Sequence, residues 1–408
     1  MDSGYRQDVS LTEAQRLVLE NVGVLGIEDV PLGDALGRRL AAGVVAPRDY
    51  PPFDNSAMDG FAVRHRDAVQ SRSLEVVGTA TAGGSWEGSL GAGQAVKIMT
   101  GARVPQGADT VVMKEVCRES GGRAEIVDLP EPGANIRRAG EDIAGGEVAL
   151  RAGTLVGPVE IAALASMGFG RATVFRRPVV AILATGNELV DVGESVAGDK
   201  IVNSNSPALA ALVTVHGGVP RMLGIARDAP GEVERLLTGA ADADMIATTG
   251  GVSVGEFDFV KGSLAAMGCK TVFWRAKMRP GMPSFFGLLN GRPVFGLPGN
   301  AVSSMVTFSV LARPALAKMA GDPDPLPPPH KAVLLTRVTK KQGFVFFLRA
   351  RVSWKEGGMV AEPMPRQGSH MVFGQRGANA LIVLPADVPG AEAGAVVDVI
   401  PFGRPAFE

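Results

Sequence analysis

The chain has 408 residues and sets 41 Lys and Arg against 42 Asp and Glu, a formal net charge of −1, so it lacks the basic excess of a nucleic-acid coat. With 46% hydrophobic and 20% charged residues it has a globular composition and a length that suits roughly two to four domains. Its 53 glycines follow no Gly-X-Y period, which excludes collagen, and its two cysteines, Cys117 and Cys269, offer no disulfide framework or zinc spacing.

The polar start, Met1 to Arg6, lacks the apolar core of a signal peptide. Ser10 followed by Glu13 is a capping-box pattern, and Leu11, Ala14, Leu17 and Val18 mark one apolar helix face behind it. A second short helix is predicted over Leu32 to Leu40. From about Val44 the apolar runs Leu74–Val77, Ala95–Met99 and Thr110–Met113 alternate with Gly, Pro and Asp, the texture of a small β-rich module. From Pro178 to Ala320 strands and helices alternate. Strands are predicted at Val179–Ala184, Val219–Ile225, Asp244–Thr248 and Pro293–Leu297. Helices are predicted at Ala208–His216, Gly231–Gly239, Phe257–Met267 and Ala301–Ala320. That order implies a doubly wound, largely parallel sheet with helices on both faces. The run Val179–Ala184 is too short to span a bilayer, and a cytoplasmic protein without membrane contact is expected. The proline-dense segment from Gly321 to Pro329 is a linker. Beyond it Val333–Thr336, Phe344–Val352, Ala380–Leu384 and Val396–Ile400 suggest a small β-barrel-like domain.

In open α/β sheets ligands bind beyond the carboxyl ends of the strands. Here those positions are polar and glycine-rich: Thr185-Gly186-Asn187-Glu188, Thr249-Gly250-Gly251-Val252-Ser253, and Pro298-Gly299-Asn300. Glycines let backbone N–H groups turn toward an anion, and the following helix adds its positive end. A phosphorylated ligand is the expectation. Gly251 to Gly255 also fits the G-x-S-x-G elbow of α/β-hydrolases, a competing and weaker reading. The four histidines, His65, His216, His330 and His370, share no ligand spacing and are read as structural or solvated. Glu188, Asp228 and Asp258 each follow a predicted strand, and oxygen ligands of that kind suit Mg²⁺. If extended, the strand through Arg275, Lys277 and Arg279 places three bases on one face.

Several longer motifs resemble one family. Pro52 to Ala62, Ile98 to Ala102, Gly140-Glu141-Asp142-Ile143, Thr185 to Leu189, Thr249 to Asp258 with Lys261, Gly296 to Asn300, Gln367-Gly368-Ser369 and Ala378 to Ile382 resemble the molybdopterin molybdenumtransferases, the bacterial MoeA type and the E domain of gephyrin. The match is collinear over nearly the whole chain.

The resemblance implies four parts: residues 1–44 with 145–177, an inserted β-rich domain at 45–144, a molybdopterin-binding α/β domain at 178–320, and a C-terminal β domain at 328–408. It implies a homodimer whose inserted domain completes the partner's site. It also implies Mg²⁺-dependent reaction of molybdate with adenylylated molybdopterin, giving molybdenum cofactor and AMP. The step would be flanked by the adenylyltransferase and by molybdenum apo-enzymes. On this basis Gly250, Gly251 and Ser253 would hold phosphate. Thr185, Gly186, Ser204, Asn205, Lys261 and Pro298 would contribute to the same binding site. Glu188, Asp228 and Asp258 would organise Mg²⁺ or the attacking oxygen. Asp59, Thr100 and Asp142 would act across the dimer, and Arg275, Lys277, Arg279 and Arg349 would attract molybdate. The sequence departs from the pattern at Met282, where the family usually has lysine, and at Asn203 and Ala301. A molybdopterin carrier without metal insertion is therefore the alternative.

Overall fold

The computed structural model describes residues 5–84, 86–229, 231–251 and 259–403. Two compact units divide the chain: residues 42–172, and a unit that joins residues 1–41 to 173–408.

The larger unit is built on a seven-stranded sheet. Its strands are β1 (Arg6–Val9), β2 (Val179–Thr185), β3 (Val219–Ala226), β4 (Met245–Thr249), β5 (Lys270–Ala276), β6 (Phe285–Leu289) and β7 (Arg292–Leu297). They lie in the order β1-β5-β6-β7-β4-β2-β3. Strands β7, β4, β2 and β3 are mutually parallel, as the alternating pattern predicts. Two antiparallel pairings, β5 with β6 and β6 with β7, extend the sheet. The N-terminal β1 then adds in parallel to β5.

Burial on both faces explains the apolar strands. Val180, Ile182, Met245, Ala247, Phe295 and Leu297 point into one core. Ala181, Leu183, Ile246 and Val294 alternate into the other. Helix α1 (Leu11–Glu20) packs in the first core through Ala14, Leu17 and Val18, and α2 (Asn205–Val215) through Leu209, Leu212 and Val213. Helices α3 (Glu232–Leu237) and α4 (Phe259–Ala266) fill the second core with Val233, Leu237, Val260 and Leu264.

Ser10 caps α1 as expected, its Oγ accepting from Glu13 N at 3.2 Å. Glu13 does not complete a capping box, because its carboxylate pairs with Arg6 and Arg16. The helix predicted from Leu32 to Leu40 runs only over Leu32–Ala35. Gly37 takes φ 72°, a left-handed turn that glycine adopts at no steric cost, and Leu40 then bridges to Val174. The helix predicted from Ala301 to Ala320 is continuous but mixed: α5 (Ala301–Thr307), a π segment at Phe308–Ala312, and α6 (Arg313–Met319). Pro314 has no N–H to give the carbonyl one turn back. That carbonyl, Val310 O, instead accepts from Gln15 Nε2 at 3.1 Å.

The C-terminal strands β8 (His330–Leu334), β9 (Val345–Lys355), β10 (Gly358–Pro363), β11 (Ala380–Leu384) and β12 (Val396–Pro401) close into a five-stranded barrel. Pairing of β9 with both β10 and β11 makes the closure, which removes free sheet edges. The smaller unit holds a six-stranded sheet. Two neighbouring strands of it, Gly60–Val63 and Gln94–Ile98, pair antiparallel with Gly60 opposite Ile98.

Candidate active site

The carboxyl ends of β2, β3, β4 and β7 open onto one cavity of about 610 Å³. Its described wall includes Thr185, Gly186, Glu188, Ser204, Asn205, Asp228, Gly250, Gly251 and Pro298, all expected at a binding site. Ser253 and Asp258, the other expected residues of this loop, lie outside the described residues.

Backbone geometry accounts for the glycines. Gly250 has φ 90° and Gly251 φ 63°. A Cβ on Gly250 would stand 2.6 Å from Thr185 O and 2.9 Å from its Oγ1, closer than real side chains approach. The loop is therefore pressed against the end of β2, and the Gly250 amide donates to Leu297 O at 3.1 Å, which ties the loop to the end of β7 as well.

Asn205 ties the frame together. Its Nδ2 donates to Thr249 Oγ1 and to Gly299 O, both at 2.7 Å, so it joins the start of α2 to the ends of β4 and β7. Asn203 is buried, accepts from Ser206 N at 3.2 Å and donates to Ser206 Oγ at 3.1 Å. It thus does the work of a helix cap for α2, which gives this departure from the family pattern a structural role. Asn187 and Asp228 clasp the loops after β2 and β3: Asp228 N donates to Asn187 Oδ1 at 3.0 Å and Asn187 N to Asp228 Oδ2 at 3.3 Å. Arg227 adds a bond to Leu189 O at 2.7 Å. Glu188 is exposed on the loop so held.

Five side chains in the wall were not anticipated: Ile201, Val202, Pro283, His370 and Val372. His370 and Val372 line the cavity, although the histidines read as structural or solvated. They sit on a segment fixed from both sides. Asn300 Nδ2 donates to Ser369 Oγ at 3.1 Å, and Val302 N to Ser369 O at 3.1 Å. Gln367 exchanges two bonds with the Arg349 backbone, at 2.8 and 3.1 Å. The Gln367-Gly368-Ser369 motif was the available signal, since His370 follows it directly.

The expected basic residues lie elsewhere. Among the described lining residues no Lys or Arg appears. The extended run through Arg275 is broken there by φ 69°, and Arg275 Nε pairs with Asp8 at 2.8 Å. Lys277 and Arg279 are exposed, alternating with buried Ala276 and Met278, and Arg279 stacks over Phe344 at 4.6 Å. Lys261 lies 3.5 Å from the Trp274 ring centroid and bonds Tyr5 Oη at 3.0 Å. Arg349 is 1% exposed. Its Nη2 reaches Arg366 O and Gly368 O only at 3.4 Å, and its Nε has no partner. Burial lowers its pKa to about 10.

In the smaller unit, strand pairing brings Asp59 and Thr100 together. Asp59 Oδ1 accepts from Thr100 N at 2.9 Å and Oγ1 at 2.8 Å, and Lys114 Nζ approaches Oδ2 at 3.3 Å. The Thr100 amide first, then its hydroxyl and Lys114, hold the Asp59 carboxyl down to about 2. A cavity of about 420 Å³ opens beside it, lined by Asp59, Phe61, Lys97, Lys114 and Cys117 among others. Burial pushes the Cys117 thiol up to about 11, so it is no nucleophile at neutral pH. Asp142 is exposed on a loop whose amide donates to Tyr50 O at 3.0 Å, and no described contact joins it to Asp59.

A doubly wound sheet with glycine loops at its carboxyl edge and a closed barrel behind it defines a multidomain α/β ligand-binding protein. Family models sharpen that class: the MoeA N-terminal region (domains I and II) matches residues 9–168, the probable molybdopterin binding domain 181–318, and the MoeA C-terminal region (domain IV) 331–402. The molybdopterin molybdenumtransferase of Haemophilus influenzae is 37% identical over 97% of this chain and 99% of its own. That of Bacillus subtilis is 36% identical over 97% and 94%. The crystal structure of the molybdopterin biosynthesis MoeA protein from Pyrococcus horikoshii OT3 superposes with a TM-score of 0.82 at 31% identity, covering 97% of this chain and 99% of that one. The chain belongs to the MoeA family of molybdopterin molybdenumtransferases.

Proposed function

We propose that this chain inserts molybdate into adenylylated molybdopterin in a Mg²⁺-dependent step that yields molybdenum cofactor and AMP. The observation that carries the reading is the cavity at the sheet's carboxyl edge, in the segment that matches the probable molybdopterin binding domain. The Gly250–Gly251 loop would hold the phosphates, with the Gly251 amide and the Ser204 hydroxyl as donors, while Gly250 N and Thr185 Oγ1, bonded to Leu297 O and Thr249 O, would fix the loop's shape. Lys277 and Arg279, exposed outside the cavity wall, would draw molybdate by charge.

The cavity also bears on the metal. Glu188 and Asp228 face a ligand that is itself polyanionic, and no described lysine or arginine lines the wall to offset them. Among the described residues no three His, Cys, Asp or Glu side chains cluster as a protein-only cage. That donor set fits Mg²⁺, which binds through one or two carboxylates together with substrate phosphates. Glu188 and Asp228 would hold it, and its charge would offset that of the phosphates.

The reading includes a homodimer of four-part chains, in which Asp59, Thr100 and Asp142 of one subunit serve the cavity of its partner. It also includes a cytoplasmic location between the adenylyltransferase and the apo-enzymes that receive the cofactor. Among the described residues no helix is long and apolar enough to cross a membrane. The test is AMP release from adenylylated molybdopterin on addition of molybdate, with and without a Mg²⁺ chelator. Tight binding without AMP release would make the chain a carrier instead.

A further inference from the structure

The loops of the cavity follow one another along the sheet edge in strand order. Asn300 stands after β7, Gly250 after β4, Glu188 after β2 and Asp228 after β3. Neighbouring strands are about 4.8 Å apart, so the edge spans roughly 14 Å from β7 to β3. The glycine amides lie in the middle, the carboxylates at the β2 and β3 end. The β7 end carries His370 and Val372, anchored there by Ser369 on Asn300 and Val302. Both side chains are exposed at the rim.

We infer that His370, flanked by Val372, is the stacking wall for the adenine ring of the substrate, and so sets the preference for an adenylylated ligand. The inference rests on the proposed function. A phosphate seated at the Gly251 end of the glycine loop can direct a base toward β7 while its charge faces the carboxylates and any bound cation. A flat imidazole beside an isopropyl group offers a face for a nucleobase. The nucleotide is the half that departs as AMP, and an exposed rim suits a group that must leave.

The test compares AMP with ribose 5-phosphate, which lacks the base, by calorimetry on the full chain. His370→Ala should weaken AMP by roughly tenfold, the scale of one base–aromatic stack, and leave ribose 5-phosphate affinity as it is. His370→Phe should restore AMP binding, since it keeps the ring and removes the hydrogen-bonding nitrogens. Equal loss of both ligands in His370→Ala would overturn the inference, because the residue would then act on phosphate or on loop shape. So would unchanged AMP affinity. Molybdate-dependent AMP release by the wild-type chain is measured in parallel. Its absence would overturn the proposed function as well, whereas release with an unaltered KM in His370→Ala would overturn the stacking wall alone.

Discussion

The two polar clusters of this chain handle charge in opposite ways. Asp59 has its hydrogen bonds filled by Thr100 and Lys114 before any ligand arrives, so the carboxylate is ionised and aimed. At the sheet edge the committed bonds belong to the frame, through Asn205, Asn187, Asn203 and the Gly250 amide, while Gly251 and Glu188 line the open cavity. One cluster is a finished electrostatic element and the other a mould with its interactions still to be made. Preorganised charge and a shaped cavity are complementary parts of phosphate chemistry, which needs positioning and charge compensation more than a covalent nucleophile.

The sharpest way to break this contrast is to fill the mould. Gly250→Ala would drive a Cβ into the Thr185 carbonyl at a φ of 90°. AMP release should fall by about a hundredfold, the cost of misplacing reacting groups by an ångström, while the smaller unit keeps its fold by circular dichroism. Asp59→Asn should cost on the order of tenfold or more in the same assay, because it removes a preset charge and keeps the shape. If the two clusters serve one site across a dimer, mixing these two inactive variants should restore about a quarter of wild-type activity, by random exchange of subunits in a two-fold assembly. No recovery would place both clusters of a working site on one chain.

Arg349 sharpens the comparison from the other side. Its charge is buried behind the wall that carries His370 and, among the described residues, has no carboxylate partner. Because burial lowers its pKa to about 10, the charged form opposes folding at neutral pH. The cost is present below about pH 10 and fades as pH rises above it. Arg349→Met should therefore leave Tm unchanged or higher at pH 7, even as AMP release drops. A large loss of Tm would show that its long hydrogen bonds outweigh desolvation. The smallest effect is expected at Thr100. Thr100→Val removes the hydroxyl bond but keeps the amide, so Asp59 should titrate somewhat above about 2, observable by carboxyl NMR. Since the folded value is depressed, the Asp59 contribution to stability is present above its unfolded pKa and is lost only as pH falls through about 2.

Where pattern alone sufficed, it was local. The parallel strands Val179–Thr185 and Met245–Thr249 are apolar enough to read directly, and the glycine loops behind them follow from that. Strand β1 escaped notice because Arg6–Val9 is mostly polar and pairs with residues some 267 positions away, Arg6 facing Phe273. The short helix at Leu32 stops at a glycine whose left-handed φ periodicity cannot show. The basic strand misled for a related reason. Charge alternation suggested one face, but an ion pair to Asp8 and a left-handed φ at Arg275 are properties of the assembled edge. His370 enters the cavity only because the barrel segment is bolted to α5 by Ser369, a contact between distant stretches of chain.

The pairing of Arg6–Val9 with Phe273–Ala276, and of Gln15 with Val310, carries a consequence for biogenesis. Arg6–Val9 cannot settle until the strand it pairs with, some 267 residues further on, has been made at roughly 5–20 residues per second. Once made, the edge of β5 is an uncovered template for another strand until Arg6–Val9 docks on it, and Val310 O waits for its bond from Gln15. The amino-terminal residues thus act as a latch that closes last, and deleting them should yield a chain that is made at the normal rate but aggregates before it assembles.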